Sequence, residues 1–366
     1  MEQKRLISID TFRGFTIAAM ILVNFPGHGD FVFTPLNHTK WWGISFTDLI
    51  APFFLFVVGI SITLAYSKRL DAGEKPQNMY PKLIIRSLKI FGVGMLLNVI
   101  GIIDHFSWSE LRWTGTLHRI AIVFLVCGLL FLYTNWKKQV IIGVLVLIGY
   151  WLAMTVIPTP GCTKVMLEPG QNLAAWIDSC CMPGKMWQGT WDPEGILSTF
   201  PSIVTGITGM LAGKLMYVNK TLLEKVSALF FFGFLSFIAG IIWNWDFPLN
   251  ENIWSSSFVL VTSGMASMTI AACIYLIEIK GYQKWAQFGI IYGMNAISVY
   301  VLADILAIFF YGTPFGGITL NIHFFNLLNA AGVNNKLASM FYALIYVFIN
   351  FIPAWLLYRK RIFIKL

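Results

Sequence analysis

Long apolar runs constrain the fold of this chain more than any other feature of its sequence. A helix needs about 20 residues to cross the hydrocarbon core of a bilayer. Hydrophobic residues make up 57% of the chain and charged residues only 12%, which excludes an ordinary soluble domain. The runs are continuous rather than alternating, which excludes an outer-membrane β-barrel. They lie near residues 8–25, 46–66, 83–103, 117–134, 138–157, 195–213, 226–244, 254–277, 288–310 and 337–357. The sequence predicts an all-α, polytopic membrane bundle of about ten transmembrane helices, forming one domain over residues 1–366.

The basic residues indicate the orientation of the bundle. If both termini are cytoplasmic, most of the 26 lysine and arginine residues fall in inner loops, as the positive-inside rule requires. The net charge of +9 then needs no nucleic-acid partner, and the lipid bilayer is the only surface partner that composition implies. The histidines fall on or near the outer face: His28, His38, His105, His118 and His323.

One outer loop, residues 158–194, is long and rich in Trp, Pro, Gly and Cys. Trp191 is positioned either to stack on a sugar ring or to join an interfacial aromatic belt. Asp192 is interpreted as the start of the next helix. An oxidising compartment permits a bridge such as Cys162–Cys180, although Cys181 is an equal candidate and the sequence leaves the pairing open.

Ionisable residues lie at both ends of the first span. Asp10 and Arg13 share a helical face, so they can neutralise each other, or Arg13 can bind an anionic cytosolic donor. Asn24 follows Arg13 by about 16 Å of helix rise, at the predicted outer end. A donor with an anionic head and a long thin arm, such as a coenzyme A thioester, has the shape to connect these two ends.

A second group of polar residues is predicted near the outer face. Asp48 can orient the imidazole of His38, as in a catalytic triad, or it can simply cap its helix. Asp304 and Arg119 are placed to extend a polar cavity, although each also suits a hydrogen bond between helices. The sequence contains no phosphate-binding loop, no Gly-x-Ser-x-Gly elbow and no histidine spacing typical of metal ligands, so no metal is predicted.

With these residues in view, the chain resembles the heparan-α-glucosaminide N-acetyltransferase family. The similar segments follow the same order over nearly the whole chain: Arg5-Leu-Ile-Ser-Ile-Asp-Thr-Phe-Arg-Gly14, Val23-Asn24, His38-Thr-Lys-Trp41-Trp-Gly43, Thr47-Asp48-Leu-Ile-Ala-Pro52, Gly115-Thr-Leu-His-Arg119, Trp191-Asp-Pro-Glu-Gly-Ile-Leu-Ser-Thr199, Pro248-Leu-Asn250, Trp254-Ser-Ser-Ser-Phe258 and Gly293-Met-Asn295.

The resemblance implies acetyl transfer from cytosolic acetyl-CoA to the amine of a terminal glucosamine on the far side of the membrane. His38 matches the active-site histidine of the family, and Asn24 matches its neighbouring asparagine. The chain lacks the large lumenal domain of the animal members, which favours a bacterial protein of the cytoplasmic (inner) membrane. His118 stands where the family usually has Gln, so the acceptor, a glucosamine-containing sugar or glycan, is left open.

These observations assign provisional roles. His38, Asn24 and Asp48 are expected to be catalytic. Asp10, Arg13 and Asn295 are expected to bind the acetyl-CoA co-substrate. The acceptor residues are expected to be Asp304, Arg119, Trp191 and His118.

Several alternatives stay open at this stage. His38 can act as a base in direct transfer or become acetylated itself. O-acetylation of an envelope glycan needs the same residues. A transporter of sugars or envelope precursors is the rival class, although no broken helix or repeat is apparent from the sequence. A homodimer is also left open.

Overall fold

The computed structural model describes residues 6–312, 314–315 and 317–364, and it confirms an all-α membrane fold. Helices begin and end as follows: α1 (Ile7–Asn24), α2 (Ile50–Asp71), α3 (Tyr80–Ile100), α4 (Thr116–Tyr133), α5 (Trp136–Val156), α6 (Leu173–Cys181), α7 (Ile196–Tyr217), α8 (Leu222–Trp243), α9 (Ser256–Ile274), α10 (Ala286–Met294), α11 (Ala296–Ala307), α12 (Leu320–Ala330) and α13 (Asn335–Arg359). A short antiparallel pair, β1 (Pro314–Phe315) and β2 (Ile318–Thr319), precedes α12.

Nine helical segments among the described residues are long and apolar enough to cross a membrane. The pair α10 and α11 makes a tenth if it counts as one span, so the predicted number is confirmed. The prediction of one continuous helix over residues 288–310 is wrong, because the chain bends by 81° between α10 and α11. The absence of a broken helix, inferred from the sequence, is corrected by the same observation.

Asn295 lies at this break, and its side chain binds the C-terminal segment. Asn295 leaves the helical region at φ −126° and ψ 38°. Its Nδ2 donates to the carbonyl of Ile362 at 3.1 Å, and its Oδ1 accepts from the amide of Ile364 at 2.8 Å. Both partners lie far away in sequence, so a local hydropathy pattern carries no trace of them.

Backbone contacts divide the described chain into two compact units. Unit 1 contains residues 6–39, 45–50 and 273–364, and unit 2 contains residues 40–44 and 51–272. The prediction of a single domain stays a prediction.

Glycines bring helix backbones together in unit 1. A Cβ atom at Gly14 of α1 would lie 1.7 Å from the carbonyl oxygen of Gly289 in α10. One at Gly293 would lie 2.0 Å from the carbonyl oxygen of Asp10. Small residues permit this close approach of membrane helices, where packing rather than exclusion from water stabilises the pair.

In unit 2, glycines likewise permit a close approach of α2 and α7. A Cβ atom at Gly59 would lie 2.0 Å from the carbonyl oxygen of Gly206, and Thr63 donates to the carbonyl of Met210 at 3.1 Å. A separate apolar cluster in unit 2 includes Trp41, whose indole nitrogen donates to the carbonyl of Leu167 at 3.1 Å.

Replacing Gly14 with alanine should destabilise the protein, because the added methyl group has no space against Gly289. Overpacking of this kind costs about 1–3 kcal/mol. Gly29→Ala is the matched control, since a Cβ at Gly29 meets nothing within 4 Å. Thermal unfolding of the detergent-solubilised protein, followed by size-exclusion chromatography, measures both, and equal midpoints for the two variants would contradict this packing.

Candidate active site

The carboxylate of Asp48 is fully buried and hydrogen-bonded to the imidazole of His38. Its Oδ1 lies 2.9 Å from Nδ1 of His38, whose side chain is 57% exposed. Its Oδ2 accepts from the backbone amide of Ser45 at 2.8 Å and from the hydroxyl of Thr39 at 3.0 Å. A charge removed from water needs such donors, and these three groups supply them.

Asp48 also pairs with Ser45 at the short 3-10 turn, Thr47–Leu49, that precedes α2. While its carboxylate accepts from the amide of Ser45, the hydroxyl of Ser45 accepts from the amide of Asp48 at 3.3 Å. This reciprocal arrangement, three residues apart, resembles a capping box. One carboxylate oxygen of Asp48 thus contacts the imidazole, and the other contacts Thr39 and Ser45.

The pair defines the chemistry available at His38. An ionised carboxylate can only accept a hydrogen bond, so Nδ1 carries the hydrogen. Nε2 is then the basic nitrogen. Both residues belong to unit 1, and the side chain of His38 is more than half exposed.

Sequence reasoning missed the contacts that hold the loop between Asn24 and His38. Tyr311 donates to the carbonyl of Pro26 at 2.9 Å, and Asn321 donates to the carbonyl of Gly27 at 3.1 Å. The hydroxyl of Ser339 accepts from the amide of His28 at 3.0 Å and donates to its carbonyl at 3.1 Å. These partners lie about 285 to 311 residues along the chain, so no local pattern signals them. Asn24 itself is the exposed last residue of α1.

Among the residues predicted to bind the acetyl donor, Arg13 contacts both its own helix and α10. Its Nη2 lies 2.7 Å from Oδ1 of Asp10, and its Nε donates to the carbonyl of Gly293 at 2.8 Å. The neutralising pair expected from the spacing is therefore present. Asn295, two residues beyond Gly293, marks the break described above.

The four predicted acceptor residues lie in two units. Asp304 is half-buried on α11 in unit 1, whereas the other three belong to unit 2. Arg119 is 4% exposed and lies over the ring of Trp254, 4.7 Å from its centroid. Its Nη2 donates to the carbonyl of Pro193 at 2.7 Å.

His118 and Trp191 pack mainly against other aromatic rings of unit 2. His118 is buried, with its ring centroid 4.6 Å from that of Phe91. Trp191 is half-buried and meets Trp41 edge-on at 5.1 Å. The role of these residues in acceptor binding stays a prediction.

An ion-pair cluster in unit 2 was also missed. Arg112 binds Asp192 through two nitrogens, at 2.8 and 2.6 Å, and Glu194 through one at 2.5 Å. Burial alone would raise the pKa of Asp192, but the hydrogen bonds and charge of Arg112 hold it below its ordinary value. The interpretation of Asp192 as a helix cap is wrong, because α7 begins only at Ile196.

The helix start at Ile196 is stabilised instead by Asp178 of α6. Its Oδ1 accepts from the amide of Ile196 at 2.8 Å, and the residue is 2% exposed. Burial raises the pKa of Asp178 to about 7, against the opposing effect of that hydrogen bond. Gly195 allows the approach, since a Cβ there would lie 2.0 Å from Oδ2 of Asp178.

The cysteines of the same loop are not bridged. Among the described residues Cys162, Cys180 and Cys181 are all free and exposed, so the structure does not contain the bridge that the sequence permitted between Cys162 and Cys180.

The chain is thus a multi-pass membrane protein that carries an imidazole hydrogen-bonded to a buried carboxylate, a pair suited to acid–base chemistry. Comparison with known proteins specifies it further: the family model described as heparan-alpha-glucosaminide N-acetyltransferase, catalytic, matches residues 5–240, and the chain belongs to this family. The resemblance noted from the motifs is thereby confirmed, and an acyltransferase is favoured over a transporter.

Two mammalian relatives carry the name heparan-alpha-glucosaminide N-acetyltransferase. The Homo sapiens protein is 28% identical over 418 residues, which cover 99% of this chain and 60% of the relative. The Mus musculus protein is 27% identical over 362 residues, which cover 84% of this chain and 54% of the relative. The chain thus spans less than two thirds of the length of either.

Asp178 should make folding stability fall as the pH rises. A carboxyl whose pKa is raised on folding keeps its proton longer in the folded state, so its contribution is present at about pH 4 and is lost as the pH rises through about 7. Asp178→Asn should flatten the decline of the thermal midpoint between about pH 5 and 8. The exposed Asp104→Asn is the control, and an unchanged slope in Asp178→Asn would contradict the assignment.

Proposed function

We propose that this protein transfers an acetyl group from cytosolic acetyl-CoA to the amine of a glucosamine-type sugar on the outer side of a bacterial cytoplasmic membrane. The observation that carries the proposal is the hydrogen bond between His38 and the buried Asp48, in a chain of the N-acetyltransferase family. The pair supplies an oriented base, which is what deprotonation of an attacking amine requires.

The reaction then proceeds in one transfer. The neutral amine attacks the thioester carbonyl, and Nε2 of His38 takes the proton that the nitrogen loses as the C–N bond forms. Asn24 donates a hydrogen bond to the developing oxyanion. The C–S bond breaks, and the departing sulfur of coenzyme A receives the proton from His38. Asp48 stays ionised throughout and stabilises the transient imidazolium.

The donor and acceptor are assigned to different residues. Asp10, Arg13 and Asn295 bind the coenzyme A moiety at the cytoplasmic end of α1. The proposal rests there on the position of Arg13, which joins Asp10 to the carbonyl of Gly293 just before the break in the span. Arg119, His118, Trp191 and Asp304 are assigned to the acceptor sugar.

Replacing His38 should remove the activity. His38→Ala should abolish release of coenzyme A from acetyl-CoA in the presence of glucosamine, and Asp48→Asn should lower it by about 10²–10⁴-fold, the usual contribution of acid–base catalysis. His105→Ala makes the same chemical change at an exposed histidine of unit 2 and should retain activity.

A thiol assay on protein reconstituted in lipid vesicles measures these rates. Because Asp48 also pairs with Ser45 ahead of α2, the thermal midpoint of Asp48→Asn must be recorded beside its rate. Turnover by His38→Ala at the wild-type rate would refute the assigned base.

Direct transfer makes a further prediction about the enzyme without acceptor. Incubation with acetyl-CoA alone should leave His38 unmodified, because in one transfer the imidazole only moves a proton. Mass spectrometry of the peptide that contains residue 38, from wild-type protein and from His38→Ala, measures this. Stoichiometric acetylation of His38 would replace direct transfer by a two-step scheme.

A further inference from the structure

An apolar cavity of about 450 Å³ lies in unit 1 between α12, α13 and the segment Ile308–Gly312. Its volume is within the range of about 300–1,000 Å³ typical of small-molecule sites. This mostly apolar lining, which also includes the ring of His323, offers packing contacts to a hydrocarbon chain. The cavity is lined chiefly by Leu320, Phe324 and Leu327 of α12 and by Ile345, Tyr346 and Ile349 of α13.

The helix α12 separates this cavity from the loop that leads to His38. Leu320, Phe324 and Leu327 follow the i, i+4, i+7 spacing of one helical face and line the cavity. Asn321 and Phe325 lie on another face: Asn321 donates to the carbonyl of Gly27, and Phe325 stacks on Phe31 with centroids 5.5 Å apart. One short helix therefore contacts both the cavity and the predicted catalytic loop.

The residues of α13 that line the cavity indicate its depth in the bilayer. Tyr342 and Ile349 line it, about 10 and 21 Å of helix rise beyond Asn335, where α13 begins. With the C-terminus cytoplasmic, as the basic residues predict, α13 runs inward from the outer face, so the cavity extends from the outer half of the bilayer to about its midplane. Leu327 is 68% and Ile345 is 43% exposed, so the cavity opens to a surface that lipid would cover.

We propose that this cavity binds the hydrocarbon chain of the acceptor, so that the acceptor is a lipid-anchored amino sugar. The proposal rests on the proposed function and names the substrate class for it. A chain held in the outer half of the bilayer places its sugar at the outer surface, where the loop between Asn24 and His38 is fixed by α12 and α13. Holding the acceptor by its chain lowers the entropic cost of bringing the amine to the thioester.

Alkyl glucosaminides of increasing chain length test this proposal. The wild-type protein should acetylate dodecyl β-glucosaminide with a kcat/KM at least about tenfold above that for free glucosamine, with octyl β-glucosaminide between them. Ile349→Trp fills the cavity and should lower the dodecyl-to-glucosamine ratio toward one. Phe348→Trp places the same side chain at an adjacent position of α13 that is 60% exposed and outside the cavity, and it should keep the wild-type ratio.

Comparing the dodecyl-to-glucosamine ratio between variants separates chain binding from partitioning, and a second filling variant separates it from misfolding. Partitioning of the longer glucosaminide into detergent or lipid is the same for all variants, so it cancels in the comparison. Leu327→Trp, at the exposed edge of the cavity, is the second filling variant in case Ile349→Trp does not fold.

Native mass spectrometry of dodecyl β-glucosaminide on the same proteins measures chain binding without turnover. Dodecyl β-glucosaminide should bind to wild type and to Phe348→Trp but not to Ile349→Trp. The same binding pattern in preparations that acetylate neither sugar would support the chain site and contradict the proposed transfer. A wild-type ratio in both filling variants overturns the proposal. A phospholipid retained by wild type and lost from Ile349→Trp, with no change in the ratio, also overturns it and identifies the occupant as a structural lipid.

Discussion

The rest of the predicted active site depends on how the chain accommodates the buried charge of Asp48. A carboxylate with no exposed surface must be surrounded by donors, and here the donors come from two directions. Ser45 lies just before the second span, while His38 and Thr39 lie earlier in the same loop. Loss of the carboxylate would leave these donors unpaired, at about 1–3 kcal/mol for each buried group. The imidazole and the turn before α2 are thus stabilised together.

The loop that carries His38 is fixed at its other end by a different kind of contact. There the backbone groups of residues 26–28 are paired with the side chains of Tyr311, Asn321 and Ser339. Gly27 is essential to this arrangement, because a Cβ atom there would lie 2.9 Å from the Cβ of Tyr342. A loop with both ends hydrogen-bonded holds a base in place without needing regular structure between them.

Local interactions were predictable from the sequence, and distant ones were not. The number of spans follows from hydropathy, and the contact of Asp10 with Arg13 follows from a spacing of three residues. His38 and Asp48 are only ten residues apart, so their pairing could be inferred from the sequence of a single loop. Asp192 was interpreted as a cap because Arg112, its true partner, is 80 residues away. At the break, Asn295 binds backbone groups of Ile362 and Ile364 at the far end of the chain, and no local pattern encodes these contacts.

The first helix sets the spacing between the two ends of the proposed reaction. Arg13 and Asn24 lie on α1, about 16 Å apart along its axis, and the height of that helix is fixed by the close contact of Gly14 with Gly289 in α10. The amide of Ser8 donates to Glu278 at 3.2 Å, which holds the start of α1 to the segment that follows α9. Because Arg13 also binds Gly293, a shift of α1 against α10 would disturb the donor side directly. Since α1 leads without interruption to Asn24, the same shift would displace the entry to the loop of His38. In the proposed reaction, the donor residue Arg13 and the catalytic residue Asn24 would therefore be connected through one helix rather than through a chain of side chains.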